Sequence, residues 1–290
     1  PGTGGAEVDY LFLQVMVDEA AVSDRQNCGN LLAGVGPFAL ERGLVAAPAG
    51  APDTMAIRIR MLNTAGIATA TVALRDGRPR YDGDTAISGV PGTGAPIRLD
   101  FEGVAGSSCG ALLPTGRAMD EVAGLTVTLV DNGMPVVVLR AGDLGVTGHE
   151  TCAGLEANED LRTTLERVRV AAGPLMGLGD VRATTVPKLT LVAPPRAGGA
   201  LATRTFIPHR CHEAIGVLGA VSVATAALLP EGPAAEVARL DGSDTVTIEH
   251  PTGTFDAAVV LGAGNGTPVV ERAGIIRTAR KLMDGVVFPR

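Results

Sequence analysis

The same element occurs twice in the sequence: a polar stretch that carries a cysteine is followed directly by an apolar helix rich in glycine and alanine. GNLLAGVGPFAL follows Cys28, and HEAIGVLGAVSVA follows Cys211, which lies 183 positions further along. A helix that is apolar on all sides must be covered by other elements, and strands are the predicted neighbours of both copies. The sequence therefore predicts an α/β (α+β) fold of two pseudo-symmetric halves, each a curved mixed sheet wrapped around a central helix.

Hydrophobic periodicity and turn residues predict the elements of the two halves. Strands are predicted at 9–18, 56–62, 67–74, 97–101, 125–140 (a pair), 188–192, 246–250 and 255–261. Helices are predicted at 30–41, 159–172 and 214–229. The last of these carries no charge but is too short to span a membrane. We expect the first half to cover 1–121 and the second 122–273, with strands in 274–290 returning to the first half.

Charge and cysteine content limit the partners and the compartment. The net charge of −7 and the pI of about 5.2 argue against a nucleic acid or an anionic membrane bound through a broad basic face. Lys188 and Lys281 are the only lysines. The four cysteines show no close pairing, and there is no signal-peptide pattern, so we expect a reducing cytoplasm.

Cys28 lies where a helix is predicted to begin. Backbone N–H groups at a helix start lack partners and attract anions, so Asn27, Gly29 and Asn30 are predicted to offer donors to a carboxylate. The thiolate is favoured at such a position and can act as a base. The alternative is a buried structural cysteine, with Asn27 as an ordinary helix cap. We expect the two helix starts to converge on one electropositive cleft that binds a ligand with carboxylates.

A second polar cluster precedes the later helix and consists of His209, Arg210, Cys211 and His212. Arg210 can hold a carboxylate through two parallel hydrogen bonds, so the cluster is predicted to bind substrate. One alternative is a zinc site completed by the HETC stretch at 149–152. We predict no metal, because no second close pair of ligands has zinc-finger spacing. The other alternative is that the two histidines bond loop carbonyls.

Further polar residues lie near the ends of predicted strands. Asn63 and Asn132 are predicted either to reach the cleft or to shape turns. Lys188 is a candidate base, with a solvent-facing or ion-paired lysine as the alternative. Arg277 and Arg280 are candidates for offsetting substrate charge, although arginines on a late strand are more often surface residues.

Four motifs carry a resemblance to a known family: QNCGN, DNGMP, FIPHRCHEAIGVLGAVSVATA and RTARKLMDGVV. Over essentially its whole length the chain resembles the methylaconitate isomerases and oxalomesaconate tautomerases. The resemblance implies the diaminopimelate-epimerase-like fold and a cofactor-independent proton shift in a small unsaturated tricarboxylate. It is greatest toward members that carry out the keto–enol tautomerisation of 4-oxalomesaconate in bacterial gallate degradation. It also implies Cys28 as one acid/base group and favours the cleft for Asn63 and Asn132.

The resemblance further implies an acid/base lysine in a Thr-Ser-Lys motif ahead of the first strand. Our expectation is that this segment precedes Pro1 and is absent here, which leaves the activity of this chain open. The alternatives are a 2-methylaconitate or related alkene isomerase, an amino-acid racemase or epimerase, and a carboxylate-binding protein without catalysis. An amino-acid substrate needs an acidic partner, and Glu213 is the one acid in the two helix-start motifs. The predicted partner is a small tricarboxylate, with no cofactor and with a homodimer left open.

Overall fold

The computed structural model describes residues 2–15, 20–24, 28–48, 50, 52–264, 267–286 and 288. The chain divides into two compact units, which are Pro1–Glu102 with Ile276–Arg290 and Gly103–Ile275. Each unit contains a mixed sheet with a helix packed on it, which confirms the predicted fold class. Within the described ranges, no helix has both the length and the apolar character needed to cross a membrane.

The first unit is built on a four-stranded sheet. Its elements are β1 (Val8–Tyr10), β2 (Gln14–Val15), β3 (Val22–Ser23), α1 (Gly29–Glu41), β4 (Thr54–Met61), β5 (Gly66–Arg75), β6 (Arg78–Pro79), β7 (Thr85–Ala86), β8 (Thr93–Gly94) and β9 (Ile97–Phe101). β1 runs parallel to β4, and β5 pairs antiparallel with both β4 and β9. β6 continues β5 as a short hairpin, while β2 with β3 and β7 with β8 form separate pairs.

The helix α1 lies close to β5, and a glycine allows this approach. A Cβ atom at Gly36 would lie 2.8 Å from Cγ2 of Val72 and 3.3 Å from Cβ of Ala70. Leu32 and Ala33, which share this face of the helix, are at most 1% exposed. The absence of a side chain at Gly36 therefore allows the helix backbone to pack close to the sheet. This contact determines the position of the helix, and with it that of its first turn.

The second unit contains an eight-stranded sheet and the remaining helices. Its elements are β10 (Asp120–Val122), β11 (Leu125–Asp131), β12 (Pro135–Arg140), a 3₁₀ helix (Ala141–Leu144), α2 (Cys152–Ala157), α3 (Glu159–Leu175), β13 (Lys188–Ala193), β14 (Leu201–Ile207), β15 (Arg210–Cys211), α4 (Val217–Leu228), α5 (Pro233–Val237), β16 (Thr245–His250), β17 (Gly253–Gly264) and β18 (Thr267–Arg277). The strand order is β10-β11-β12-β13-β14-β16-β17-β18, with β15 paired to β14. The β12/β13 and β14/β16 pairs are parallel and the others antiparallel.

The central helix of the second unit is α4. Its residues 219–227 are all buried, and it packs against β11, β12, β16, β17 and α5. Ala220, Ala224 and Ala227 are at most 2% exposed. This confirms the prediction of an apolar helix enclosed by strands, although the helix is four residues shorter than the predicted range 214–229.

The boundaries of the units differ from the predicted ones at 121 and 273. The Gly- and Ser-rich connector that begins at Gly103 belongs to the second unit, because β11 holds it. The carboxylate of Asp131 accepts hydrogen bonds from Ser108 N and Cys109 N at 2.7 and 2.8 Å, and its backbone bonds Gly106. A stretch with the composition of a linker is thus a loop tied to a strand. The equivalence of the two units as epimerase-like halves stays a prediction.

Most predicted elements agree in position with the structure. The strand at 97–101 and the turn between β11 and β12 are confirmed, and α1 and α3 exceed their predicted ranges by one and three residues. The single strand predicted at 9–18 is wrong, because β1 and β2 are separate short strands and 16–19 lie outside the described residues. The helices α2 and α5 were not predicted, because six and five residues hold too little periodicity.

We expect Gly36→Ala to destabilise the protein by about 1–2 kcal/mol, because the overpacking cost against Val72 exceeds the gain in helix propensity. Gly34 is the matched control: it lies in the same helix, and nothing lies within 4 Å of a Cβ added there. Gly34→Ala should therefore stabilise by about 0.5–1 kcal/mol. Urea-unfolding midpoints measure both effects, and equal stabilisation by the two changes would contradict the close approach of α1.

Candidate active site

Cys28 occupies the N-cap position of α1, as the sequence predicts. Its backbone is extended (φ −120°, ψ 105°), and its carbonyl oxygen accepts the first helical bond from Leu32 N at 3.0 Å. The thiol is half-buried and makes no capping hydrogen bond, and the first turn of α1 contains no acidic residue. The thiol thus lies at the positive end of a helix dipole that no acidic side chain of that turn offsets.

The other residues predicted beside Cys28 have different surroundings. Gly29 is the first residue of α1. The side-chain oxygen of Asn30 accepts a hydrogen bond from Nε of Arg277 at 2.9 Å. This bond brings a guanidinium group to the first turn of the helix, so Arg277 joins the candidate site of the first unit. Asn27 lies outside the described residues.

Tyr10 lies near Cys28 and was missed by the sequence analysis. Its hydroxyl is buried and has no hydrogen-bond partner in the described part of the chain. Burial, and after it the charge of Cys28, raises the pKa of Tyr10. The phenol therefore stays protonated at neutral pH and has a donor to offer to a ligand. The one signal in the sequence that could have pointed to Tyr10 is that tyrosine is rare: Tyr10 and Tyr81 are the only two.

Asn63 has a structural role in place of the predicted substrate contact. Its amide nitrogen donates to the carbonyl oxygens of Phe12 and Asp24 at 2.8 and 2.6 Å, and its oxygen accepts from Phe12 N at 2.9 Å. Through these bonds the side-chain amide joins two backbone positions, one before β2 and one after β3. Asn63 is thus a positioning residue for the segment that leads to Cys28.

His209 and Arg210 lie at the exposed turn between β14 and β15. The Nδ1 atom of His209 is 3.8 Å from Oε2 of Glu166 on α3, and the histidine side chain is 54% exposed. Arg210 is exposed and pairs through its backbone with Ile207. The predicted carboxylate grip by Arg210 would therefore have to operate at an open turn, and it stays a prediction.

Cys211 is a core residue, contrary to the predicted contact with substrate. It is 7% exposed and belongs to the hydrophobic cluster under α3, together with Cys152. Its backbone N–H donates to Oε1 of Glu156 at 2.9 Å. Burial, followed by the adjacent Cys152 thiol, raises the pKa of Cys211. The sequence analysis placed Cys211 in the site because it precedes a helix, but its side chain points into the core of the second unit.

His212 lies just before α4 and is half-buried. Its Nδ1 atom accepts a hydrogen bond from Ala214 N at 2.8 Å, which assigns the ring proton of the neutral form to Nε2. His250 lies nearby, and burial, with a smaller contribution from His212, lowers its pKa. His212 therefore has one nitrogen engaged in the loop and a second that its neighbours leave for a ligand or solvent.

Asn132 is fully buried and bonds the middle of α4. Its backbone N–H donates to Oγ of Ser222 at 3.0 Å, and its Nδ2 atom donates to Oγ1 of Thr225 at 2.8 Å. These partners lie roughly 7 to 12 Å along the axis from the first residue of α4. Asn132 thus joins the turn after β11 to the central helix, while its buried Oδ1 atom has no partner among the described residues and its contact with the cleft stays a prediction.

Lys188 begins β13 and is half-buried. Burial lowers its pKa. No described residue forms a hydrogen bond or an ion pair with it, so the ion-paired alternative has no support among the described residues, and its role stays a prediction. Its Nζ atom lies 3.8 Å from the position that a Cβ atom would take at Gly216, the N-cap of α4.

The structure gathers polar residues in two places. At the start of α1 these are Cys28, Gly29, Asn30, Tyr10 and Arg277, and at the start of α4 they are His212 and Lys188. The zinc alternative finds no support in the described ranges, where no three His, Cys, Asp or Glu side chains form a group suited to a metal ion. The roles of these residues toward a ligand stay predictions.

Residues 2–289 match the family described as PrpF protein. The chain belongs to this family. A relative from Novosphingobium sp. (strain KA1), (4E)-oxalomesaconate Delta-isomerase, is 59% identical over 98% of this chain and 78% of its own length. A second, 4-oxalomesaconate tautomerase from Pseudomonas putida (strain KT2440), is 56% identical over 97% of this chain and 77% of its own length.

A solved structure supports the same relationship at the level of the fold. The crystal structure of methylitaconate-delta-isomerase matches with a TM-score of 0.87 and 32% identity, over 99% of this chain and 79% of that chain. The predicted family is thereby confirmed. The epimerase-like fold is confirmed by the crystal structure of a probable proline racemase from Agrobacterium radiobacter K84, which matches with a TM-score of 0.50 and 16% identity over 98% of this chain and 74% of that chain.

We expect Asn63→Asp to destabilise the protein by about 1–3 kcal/mol, because a carboxylate oxygen replaces a donor that faces two carbonyl oxygens. Asn158→Asp is the matched control, since Asn158 caps α3 by accepting from Leu161 N at 3.0 Å, and aspartate does so equally well. Unfolding midpoints at neutral pH measure both. A neutral Asn63→Asp variant would show that the amide does not tie the two backbone positions together.

Proposed function

We propose that this PrpF-family protein is an isomerase that shifts a proton in 4-oxalomesaconate, without a cofactor, and that the shift is a keto–enol tautomerisation. The choice of substrate rests on one observation: the chain is 59% and 56% identical, over nearly its whole length, to two relatives named for 4-oxalomesaconate. The start of α1 supports the chemistry, because it presents a thiol, unpaired helical N–H groups and a guanidinium within one unit.

Cys28 is the proposed acid/base group. A proton on carbon beside a keto acid becomes removable when a base contacts it and when positive potential holds the charge that forms on oxygen. The thiolate of Cys28 takes the proton from carbon, and the enolate oxygen takes a proton from water to give the enol. The Cys28 thiol then loses its proton to water, and the reverse reaction runs through the same transfers in the opposite order. The N–H groups of the first turn of α1 and the guanidinium of Arg277 stabilise the enolate oxygen.

Tyr10 is the proposed donor beside the thiol. Its hydroxyl is buried without a partner near Cys28, and a buried donor without a partner costs stability that a ligand oxygen would restore. The phenol donates a hydrogen bond to an oxygen of the substrate. It therefore lowers the energy of the enolate form relative to the keto form in the site.

The second candidate function is a proton shift that moves a carbon–carbon double bond. The relative at 59% identity is named a Delta-isomerase, which describes movement of a carbon–carbon double bond, whereas the relative at 56% is named a tautomerase. Both reactions begin with loss of a proton from carbon, and they differ in whether carbon or oxygen receives it. Deuterium placement in the product separates them, because the double-bond shift leaves deuterium at a new carbon.

The physiological setting is part of the proposal. We place the reaction in the breakdown of gallate-type aromatic acids in the cytoplasm, with a small tricarboxylate as partner and no nucleic acid. The four cysteines are free thiols, although Cys152 and Cys211 are neighbours, and this supports a reducing compartment.

We expect the wild-type chain to exchange a C–H of 4-oxalomesaconate in deuterated water and Cys28→Ser to slow this exchange roughly 100- to 10,000-fold, the usual contribution of a general base. Proton NMR follows the exchange. Cys109→Ser is the control, because Cys109 is also half-buried but lies in the loop tied to Asp131, and burial raises its pKa to about 12. Ligand binding without any exchange by the wild type would instead indicate a non-catalytic carboxylate-binding protein.

Tyr10→Phe should lower kcat/KM roughly 10-fold or more, because one hydrogen bond to a developing charge is lost. Tyr81→Phe is the matched control: its hydroxyl already donates to Oε1 of Glu41 at 2.9 Å, and its pKa is raised to about 12 by burial and by that carboxylate. Equal kinetics for the Tyr10 and Tyr81 variants would remove Tyr10 from the site.

A further inference from the structure

Two sets of contacts fix the backbone at Lys188: the pairing of its strand and the hydrogen bonds that hold the loop before it. Its strand, β13, pairs in parallel with β12, with Lys188 opposite Val136. The loop before it is fixed by Arg169, which is fully buried on α3 and whose Nη1 atom donates to the carbonyl oxygens of Val181 and Thr184 at 2.8 and 3.3 Å. The ammonium group is therefore carried by a fixed backbone.

The surroundings of this ammonium group are electropositive. Its Nζ atom lies beside Gly216, where α4 begins, and the first turn of α4 contains no acidic residue and no side-chain cap. The positive end of the α4 dipole and the lysine charge therefore occur together. Burial lowers the pKa of Lys188, and no charged group contributes to that shift.

No described carboxylate pairs with this ammonium group. Glu249 is opposite Ala202, which is opposite Ala193 at the far end of β13, and Glu156 accepts the backbone N–H of Cys211. Glu213 is exposed. A partly desolvated cation without a counter-ion is unfavourable in a folded protein, so the arrangement calls for an anion from outside the chain.

We propose that Lys188, together with the first turn of α4, binds a carboxylate group of the substrate. This inference rests on the proposed function for the choice of a carboxylate over other anions. His212 lies four residues before Gly216 in the chain, and because its Nδ1 atom accepts from Ala214 N, we assign its Nε2 atom to this centre as the third group. No transfer of a proton is assigned to Lys188: its charge positions the substrate and contributes equally to the bound substrate and to the transition state.

The kinetic test uses Lys188→Met, which keeps the length of the side chain and removes the charge. We expect KM for 4-oxalomesaconate to rise roughly 10- to 100-fold while kcat changes less than about threefold, the signature of lost uniform binding. Lys188→Arg should restore part of the affinity. The matched control is Lys281→Met, because Lys281 is the one other lysine and pairs with Glu41 at 2.8 Å.

The stability of the Lys188→Met variant distinguishes substrate binding by Lys188 from a structural role. Because Lys188 has no partner among the described residues, Lys188→Met should unfold at the same urea concentration as the wild type or at a higher one. A lower midpoint together with unchanged KM would overturn the proposal in favour of a structural lysine. A fall in kcat with unchanged KM would overturn it in favour of an acid/base lysine.

A second test needs no turnover. Lys188 and Lys281 can be acetylated with a water-soluble amine reagent and quantified by peptide mass spectrometry, with propane-1,2,3-tricarboxylate as the probe and glycerol as its uncharged analogue. The tricarboxylate should slow acetylation of Lys188 and leave Lys281 unchanged, and glycerol should protect neither. Wild-type exchange without protection of Lys188 removes this inference alone, whereas protection without exchange removes the proposed isomerase function and leaves a carboxylate centre.

Discussion

The close contact between a small-residue helix and its sheet is the constraint on which the two candidate centres depend. In the first unit the absence of a side chain at Gly36 brings α1 against Val72, and in the second unit alanines let strands enclose α4. In a sequence with 3% aromatic residues, the core gains stability from many such short contacts. Because neither helix is held off by large side chains, its first turn has a definite position on the sheet, and with it Cys28 and Gly216.

Buried polar side chains complete this arrangement by holding loops that have no apolar core of their own. Asp131 ties the connector after Gly103 to β11, Asn132 joins the next turn to α4, and Arg169 fixes the loop before β13. Each of these groups is fully buried, and each is costly unless its hydrogen bonds are made. These bonds therefore favour one conformation of each loop, and those of Arg169 place Lys188.

The sequence predicts the elements better than the roles of individual polar residues. Periodicity locates α1, α3 and α4, because each has enough turns to show its buried face. Asn63 and Asn132 are different, since the partners of Asn63 lie 39 and 51 residues away in the sequence and those of Asn132 lie 90 and 93 residues away. A polar residue at a strand end has the same local pattern whether it faces a ligand or a distant backbone.

Burial and the absence of a partner are equally invisible in the sequence. Tyr10 and Lys188 stand out only when their surroundings are known, because the free hydroxyl of one and the unpaired charge of the other are properties of the packed structure. Cys211 shows the converse: its motif resembles that of Cys28, yet its thiol is part of a core cluster. Cys28 is itself the N-cap of its helix, whereas Cys211 lies on β15, five residues before Gly216, the N-cap of α4.

Because α1 packs on β5 through Gly36, the direction of the Cys28 thiol depends on the number of residues between Cys28 and Gly36. Gly36 lies eight residues after Cys28, and its lack of a Cβ atom determines which face of the helix meets Val72. One residue inserted between them would turn the thiol by about 100° around the helix axis and advance it by about 1.5 Å. An insertion in this short segment would therefore misdirect the thiol, whereas an insertion after Glu41, where the helix ends, would leave the spacing between Cys28 and Gly36 unchanged.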